Sequence, residues 1–355
     1  MRMIIAGGGT GGHFFPGLAV AEEAVRQGES AVFVGSSAGI EARVAERRGF
    51  RFVPLEIHGV RGGGWRGVLR FAWQIPAALW KAWREIGVVH ADLIVGLGGY
   101  GSVPVVIGAR LRGVPAVLME QNVHPGLANR MLARLAQRVC TTFEESERFF
   151  PSGKAVRTGN PVRRLASDAI PQAGRFSLFV FGGSQGARAL NRTVIEAARF
   201  LHARVSGLRI VHQTGEADQP LVEQAYRDLG VDATVHRFID DMATTYAEAD
   251  LVICRAGATT LAELTALGKP AILVPYPYAA DDHQRHNAAA MTARGAAEMI
   301  LERDLTPEGL AERIAHYSAH RDELETMGRN ATRLATPDAT ADVLRVCRQL
   351  ALKGT

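Results

Sequence analysis

Apolar and polar positions change period along this chain. Short runs of consecutive apolar residues alternate with longer stretches whose apolar residues recur three and four apart. The first pattern predicts buried strands and the second predicts helices that pack on them. Predicted strands are Arg2–Ala6, Ala31–Gly35, Asp92–Gly96, Ala116–Met119 and Gln137–Thr141, with helices over about Pro16–Arg26 and Ile40–Arg48 and further helical segments between. The scheme then restarts: a strand at Phe176–Phe181, a glycine turn at Gly182–Gly186 and a helix at Ala187–Leu201. Strands at Arg209–His212, Thr234–His236, Leu251–Cys254 and Ala271–Val274 follow. Regular strand–helix alternation makes a parallel sheet covered on both faces. The expectation is therefore α/β: two doubly wound domains, 1–160 and 161–337, joined through Thr158–Gly174 with its Pro161 and Pro171. Such sheets bind ligands beyond the carboxyl ends of their strands, so a cleft between the domains is expected.

With 47% apolar and 22% charged residues in 355, the chain excludes disorder, collagen-like repeat and coiled coil. Cys140, Cys254 and Cys347 are far apart and form no CxxC, which fits a reducing compartment rather than a disulfide framework or structural zinc. The start lacks a signal-peptide core and no run is long enough to span a membrane, so a cytosolic protein is expected. The net charge of +5 is uneven, +7 over residues 1–160 and −2 over the rest. A basic half suggests an anionic partner there (phosphate, nucleic acid or acidic membrane), although chance surface variation has the same sign.

Many of the 38 glycines gather in a few tight clusters at strand ends. Gly7-Gly8-Gly9-Thr10-Gly11-Gly12-His13 contains a formal GxGxxG, yet the second strand ends in Gly35-Ser36-Ser37 with no acid for a ribose, which argues against a dinucleotide site. A glycine loop before a helix still suits phosphate. His13 follows at its mouth, where an imidazole can bond a hydroxyl or move a proton. Gly182-Gly183-Ser184-Gln185-Gly186-Ala187 and Gly96–Ser102 occupy the same kind of position, so two phosphorylated ligands, one per domain, are expected.

Cys254-Arg255-Ala256-Gly257-Ala258-Thr259-Thr260 opens a helix that carries Leu261 and Glu263. A carboxylate there can accept two ribose hydroxyls, or simply complement the helix dipole. Asp281-Asp282-His283 reads as a helix cap rather than a metal site, so no metal is expected. All four tryptophans, Trp65, Trp73, Trp80 and Trp83, lie within 19 residues, and Arg61–Arg84 holds five basic residues and no acid. Leu69, Trp73, Trp80 and Trp83 recur at helical spacing, with Pro76 expected to kink the helix. Such a surface suits a membrane interface; an ordinary core helix with a basic face is the plain alternative, and base stacking on nucleic acid is a third that nothing else supports.

Gly8-Gly9-Thr10-Gly11-Gly12-His13-x-x-Pro16-Gly17-Leu18-Ala19, Gly98-Gly99-Tyr100, Glu120-Gln121-Asn122, Gly159-Asn160-Pro161-Val162-Arg163 and the 182–187 loop resemble, in this order, the signatures of the lipid II-forming N-acetylglucosaminyltransferases, the MurG family. Phe238-Ile239-Asp240-Asp241-Met242, Cys254-Arg255-x-Gly257-Ala258 and Gln284-x-x-Asn287-Ala288 extend the resemblance over nearly the whole chain. Met119, Ala256 and Thr259 depart from that family's common His, Ser and Leu.

The resemblance implies a GT-B fold, UDP-GlcNAc in the second domain, and a polyprenyl-diphosphate-linked muramyl pentapeptide at the first. It implies an inverting transfer of GlcNAc to the muramyl 4-hydroxyl in peptidoglycan synthesis, with no cofactor. The protein would sit peripherally on the cytoplasmic face of the inner membrane, with other cell-wall synthesis proteins as further candidate partners. The terminal segment 338–355 would pack back on the first domain. On the donor side the resemblance puts Thr10, Gly11, Gly12, Asn122, Arg163, Ser184, Ile239 (through its backbone, to the base), Ala258, Thr259, Thr260, Leu261, Glu263 (ribose) and Gln284. The loop residues Thr10, Gly11 and Gly12 could equally lie near the acceptor diphosphate. His13 is the candidate general base, with Glu120 second. Trp65, Arg70, Trp73, Leu79, Trp80 and Trp83 form the expected membrane surface. A cytosolic UDP-GlcNAc epimerase of the same plan, or a non-catalytic nucleotide-sugar binder, are the competing readings.

Overall fold

The computed structural model describes residues 1–8, 11–36, 40–57, 64–163, 169–183, 186–201 and 203–352, and the side chains of all of these except 40 and 64–72. Two compact units emerge: Met1–Arg163 with Thr336–Thr355, and Arg164–Ala335.

The first unit is built on seven strands, β1 (Arg2–Ala6), β2 (Ser30–Ser36), β3 (Arg51–Leu55), β4 (Leu93–Gly96), β5 (Ala116–Glu120), β6 (Arg138–Thr141) and β7 (Ala155–Arg157). They form one sheet in the order β3-β2-β1-β4-β5-β6-β7, with every pair parallel. Its helices are α1 (Gly11–Arg26), α2 (Ile40–Arg47), α3 (Gly64–Val89), α4 (Ser102–Arg112) and α5 (Leu127–Leu132). The pleat sends Ile4 and Ala6 to one core, with Ala78, Ala82 and Ile86 of α3 and Val105, Val106 and Ala109 of α4. Met3 and Ile5 go to the other, with Phe14 and Leu18 of α1.

The second unit carries β8 (Phe176–Phe181), β9 (Leu208–Gln213), β10 (Ala233–His236), β11 (Leu251–Cys254), β12 (Ala271–Leu273) and β13 (Glu298–Met299). Their order, β10-β9-β8-β11-β12-β13, is again wholly parallel. The helices are α6 (Arg188–Leu201), α7 (Gln219–Leu229), α8 (Met242–Glu248), α9 (Ala258–Leu267), α10 (His283–Thr292), α11 (Pro307–Ala319) and α12 (Arg321–Arg333). A last helix, α13 (Ala339–Ala351), belongs to the first unit: Val343, Leu344, Val346 and Cys347 are buried in the α1 core. Arg348 donates from Nε to Glu29 Oε1 at 2.9 Å and fixes the helix to the α1–β2 turn.

Three strands escaped the sequence reading. β3 contains Pro54, which is compatible with a strand only at an edge or bulge, and β3 is an edge. β7 and β13 are edges of three and two residues, too short to show a period. Helix α1 also begins at Gly11, five residues before the expected start at Pro16, so His13 lies inside its first turn. The glycines there read as loop by propensity, but Gly11 packs closely: a Cβ on it would come within 3.0 Å of the Phe15 ring. Helix α3 runs through Pro76 as one element.

Candidate functional site

In each sheet the strand order reverses beside the first strand, between β1 and β4 and between β8 and β11. Doubly wound sheets take ligands at such a point, beyond the carboxyl ends of the strands. The glycine loops stand there.

In the first unit, Gly7 has φ +106° and Gly99 has φ +71°. A Cβ on Gly7 would overlap the Gly98 carbonyl, and one on Gly99 would come within 2.8 Å of the Gly8 carbonyl. The loops after β1 and β4 are thus backbone against backbone, which leaves no room for side chains. The buried Glu41 of α2 lies behind them, its carboxyl 3.1 Å from where a Gly8 Cβ would stand. Gly11 and Gly12 form the start of α1, so a helix N-terminus stands at the loop. Thr10 is outside the described residues.

His13 is half-buried, and its Nδ1 lies 2.8 Å from Gln121 Oε1. Glu120, the last residue of β5, is buried and saturated. Its Oε1 accepts from Asn122 N and Nδ2 at 3.0 and 3.1 Å, and its Oε2 from Asn129 Nδ2 and Gly126 N at 2.9 and 3.2 Å. A carboxylate offers about four lone-pair positions, and here protein donors take them all. Glu120 therefore shapes the 121–126 loop, and Asn122 is one of its donors. Gln121 and Asn129 are the residues that site reasoning missed: Gln121 stood inside a quoted motif without a role, and Asn129 carries no local signal. Arg163 is exposed and ends the first unit's main segment.

In the second unit, Gly183 has φ +93° and Gly186 has φ +74°, and Gly186 N bonds Gly183 O at 3.1 Å to close the turn before α6. Ser184 is outside the described residues. Gln213 links this loop to Ile239: its Nε2 donates to Gly183 O at 3.1 Å and its Oε1 accepts from Ile239 N at 2.8 Å. With its N–H engaged, Ile239 can offer a planar base only its carbonyl. Below the loop runs a buried chain. Tyr226 Oη lies 2.9 Å from His212 Nδ1, and His212 Nε2 lies 3.1 Å from Asn191 Oδ1. Asn191 Nδ2 donates to Thr214 O and Asp218 Oδ2 at 3.0 and 2.9 Å. Those donations make Asn191 Oδ1 the acceptor, so His212 is protonated at Nε2 and accepts from the tyrosine. Burial pushes its pKa down to about 3, so it stays neutral.

Glu263 is 6% exposed, and Tyr246 Oη donates to its Oε2 at 3.0 Å. Ala258 and Leu261 are buried, Leu261 in the core, whereas Thr259 and Thr260 are half-buried in the first turn of α9. Arg255 is structural: it donates to the Val274 and Pro275 carbonyls at 3.1 and 3.2 Å and pairs with Glu302. Gln284 accepts from Tyr276 N at 2.9 Å, and Asn287 Nδ2 reaches Ala256 O at 3.3 Å. Asp282 takes the N-cap position of α10, but its side chain pairs with Arg285 and makes no capping hydrogen bond. Both Asp281 and Asp282 have positive φ. Among the described residues, His316, His320 and Glu323 bring possible metal-ligand atoms within 4.8 Å of one another, at the α11–α12 junction.

The outer face of α3 is apolar and exposed. Trp73 and Trp80 are 83% and 61% exposed, Val88 is exposed, and Leu79 is half-buried. Arg84 approaches the Trp80 ring at 5.7 Å, and Arg112 of α4 lies 3.7 Å over the Trp83 ring. The Trp65 and Arg70 side chains lie outside the described set. No helix among the described residues is long and apolar enough to cross a membrane.

Residues 3–141 match the glycosyltransferase family 28 N-terminal domain, and 177–343 match its C-terminal domain. A Myxococcus xanthus protein, named UDP-N-acetylglucosamine–N-acetylmuramyl-(pentapeptide) pyrophosphoryl-undecaprenol N-acetylglucosamine transferase, is 44% identical over 99% of this chain and 93% of its own. The chain belongs to the MurG family of glycosyltransferases. The crystal structure of the family member from Acinetobacter baumannii covers 98% of this chain and 99% of its own at 32% identity, with a TM-score of 0.80. The fold is therefore GT-B. A UDP-GlcNAc 2-epimerase from Neisseria meningitidis, solved with UDP-GlcNAc, superimposes with a TM-score of 0.69 over 98% of this chain and all of its own, but at 12% identity it shares the fold alone.

Proposed function

We propose that this protein transfers GlcNAc from UDP-GlcNAc to the muramyl 4-hydroxyl of a polyprenyl-diphosphate-linked muramyl pentapeptide, giving lipid II with inversion at the anomeric carbon. One observation carries the reading: a full-length match at 44% identity to a relative whose name spells out that donor and acceptor.

The second unit holds the donor. The loop at Gly182–Gly186, with Ser184, cradles the diphosphate at the N-terminus of α6, where oriented N–H groups stabilise the charge that develops on leaving UDP. The Ile239 carbonyl meets the uracil, Glu263 the ribose, and Thr259, Thr260, Gln284, Asn122 and Arg163 complete the donor contacts. In the first unit, Gly11 and Gly12 offer the N-terminus of α1 to the acceptor diphosphate. His13 Nε2 takes the proton of the acceptor hydroxyl. Its oxygen bonds to the anomeric carbon, while the bond from that carbon to the diphosphate oxygen breaks and leaves its pair on UDP. Glu120, with its lone pairs occupied, organises the loop instead of taking the proton. No cofactor enters this sequence. The exposed tryptophan face of α3 rests on an anionic membrane, and the protein works peripherally at the cytoplasmic face.

The test is transfer of labelled GlcNAc to a short-chain acceptor analogue, beside an acceptor-free control. Acceptor-dependent labelled product supports the reading. Epimerised sugar nucleotide in the control favours the epimerase, and bound UDP with no turnover in either tube favours a binding protein.

A further inference from the structure

We propose that Gln121 is a positioning residue: it fixes His13 as the Nδ1–H tautomer and so presents the Nε2 lone pair to the acceptor hydroxyl. The inference rests on the reading of His13 as the base.

The observation is the 2.8 Å separation of His13 Nδ1 and Gln121 Oε1. An amide oxygen only accepts, so the proton in this bond is on the imidazole. A neutral imidazole has one N–H and one lone pair. With the proton on Nδ1, the lone pair is on Nε2. The hydrogen bond made by one ring nitrogen decides what the other can do. After proton transfer both nitrogens carry protons, and Nδ1–H still donates to Gln121, so the bond persists through the step.

Gln121 is itself held. It is 1% exposed and follows β5 directly. The next residues are tied back to Glu120 through Asn122 and Gly126. This gives Glu120 a use that is not proton transfer: it anchors the backbone that aims Gln121. Among the described residues, the Nε2 of Gln121 is buried without a hydrogen-bond partner. An amide kept only for packing would be expected to satisfy both ends; this one spends its oxygen on His13.

A neutral amide also suits the chemistry better than the carboxylate that orients histidine in hydrolase triads. Both substrates carry diphosphates. An amide fixes the tautomer without adding negative charge beside them.

The experiment is ¹⁵N NMR of the histidine rings in the full-length protein at a pH where His13 is neutral, with His13→Ala identifying the signal. The wild type should show Nδ1 protonated and Nε2 unprotonated. Gln121→Leu, or the more isosteric Gln121→Met if Leu does not fold, should release the ring to the Nε2–H form and lower kcat roughly 100-fold, with both KM values nearly unchanged. Gln121→Glu keeps an acceptor and should keep the tautomer. An Nε2–H ring in the wild type, or a tautomer unmoved in Gln121→Leu and Gln121→Met, overturns the proposal. Wild-type kcat in His13→Ala would instead overturn the base reading, whatever the tautomer.

Discussion

The Tyr246 hydroxyl donates to Glu263 Oε2 across 3.0 Å inside the second unit. Tyr246 is itself fixed, edge-on to Phe179 and Phe181 at ring separations of 5.4 and 5.9 Å. The carboxylate assigned to the ribose is thus held by a buried phenol before any donor arrives. Glu263→Gln keeps an acceptor for the tyrosine but loses the charge. Hydrogen bonds to charged groups contribute about 1.5–3 kcal/mol, so the donor KM should rise roughly 10- to 100-fold with a smaller change in kcat. Steady-state kinetics with UDP-GlcNAc varied checks this. An unchanged donor KM removes the ribose assignment.

Glu120 accepts three hydrogen bonds from the 121–126 loop and a fourth from Asn129 of α5. Its removal should unfold that loop before it affects proton transfer. Glu120→Ala leaves several buried donors unsatisfied, each costing about 1–3 kcal/mol. The first unit should lose about 3 kcal/mol or more, seen in urea unfolding, whereas His13→Ala should unfold like the wild type. A fully stable Glu120→Ala protein that is inactive would return Glu120 to candidacy as the base.

The parts of the molecule that sequence reached, and those it did not, differ in physical kind. Met3 and Ile5 against Ile4 and Ala6 announce a strand buried on both faces, and the repeat of that pattern at Phe176–Phe181 announces a second sheet. The loops at Gly7 and Gly183 declare themselves because only glycine takes their positive φ without strain. What stayed hidden is relational. Nothing near Asn129 in the chain shows that it bonds a carboxylate nine residues away, and nothing near His212 reveals Asn191 and Tyr226 on either side of it. The start of α1 was hidden for the opposite reason: glycines chosen for close contact resemble a loop. Asp282 stands at the expected cap position of α10, but its backbone is left-handed and its side chain turns to Arg285.

The exposed rings on α3 make membrane attachment measurable. Trp73→Ala with Trp80→Ala should weaken binding to phosphatidylglycerol vesicles by roughly 10-fold or more, given about 1.5–3 kcal/mol for burying a large apolar side chain. Raising salt should weaken binding further, since Arg84 lies beside Trp80. Transfer to a water-soluble acceptor should be unaffected. Equal vesicle binding by the wild type and the double variant contradicts the membrane role of this face.

His212 gives the second unit a specific acid sensitivity. In the unfolded chain an imidazole takes a proton below about pH 6.5, but buried His212 resists until about 3. Its contribution is therefore complete above that unfolded value and is lost as pH falls through the window between the two. The slope is about 1.4 kcal/mol per pH unit. The ring resonances of His212 should not titrate between pH 7 and about 5, and His212→Gln should flatten the acid limb of stability against pH. Titration of His212 with an ordinary midpoint would contradict the buried neutral chain Tyr226–His212–Asn191.

The most direct test of the central claim is the structure of the product. Enzyme, UDP-GlcNAc and a short-chain muramyl-pentapeptide diphosphate are incubated, and the isolated disaccharide is read by NMR. The account predicts a single β-linked GlcNAc on the muramyl 4-oxygen, formed with equimolar UDP. An α link, attachment at another oxygen, or UDP release without disaccharide would contradict it.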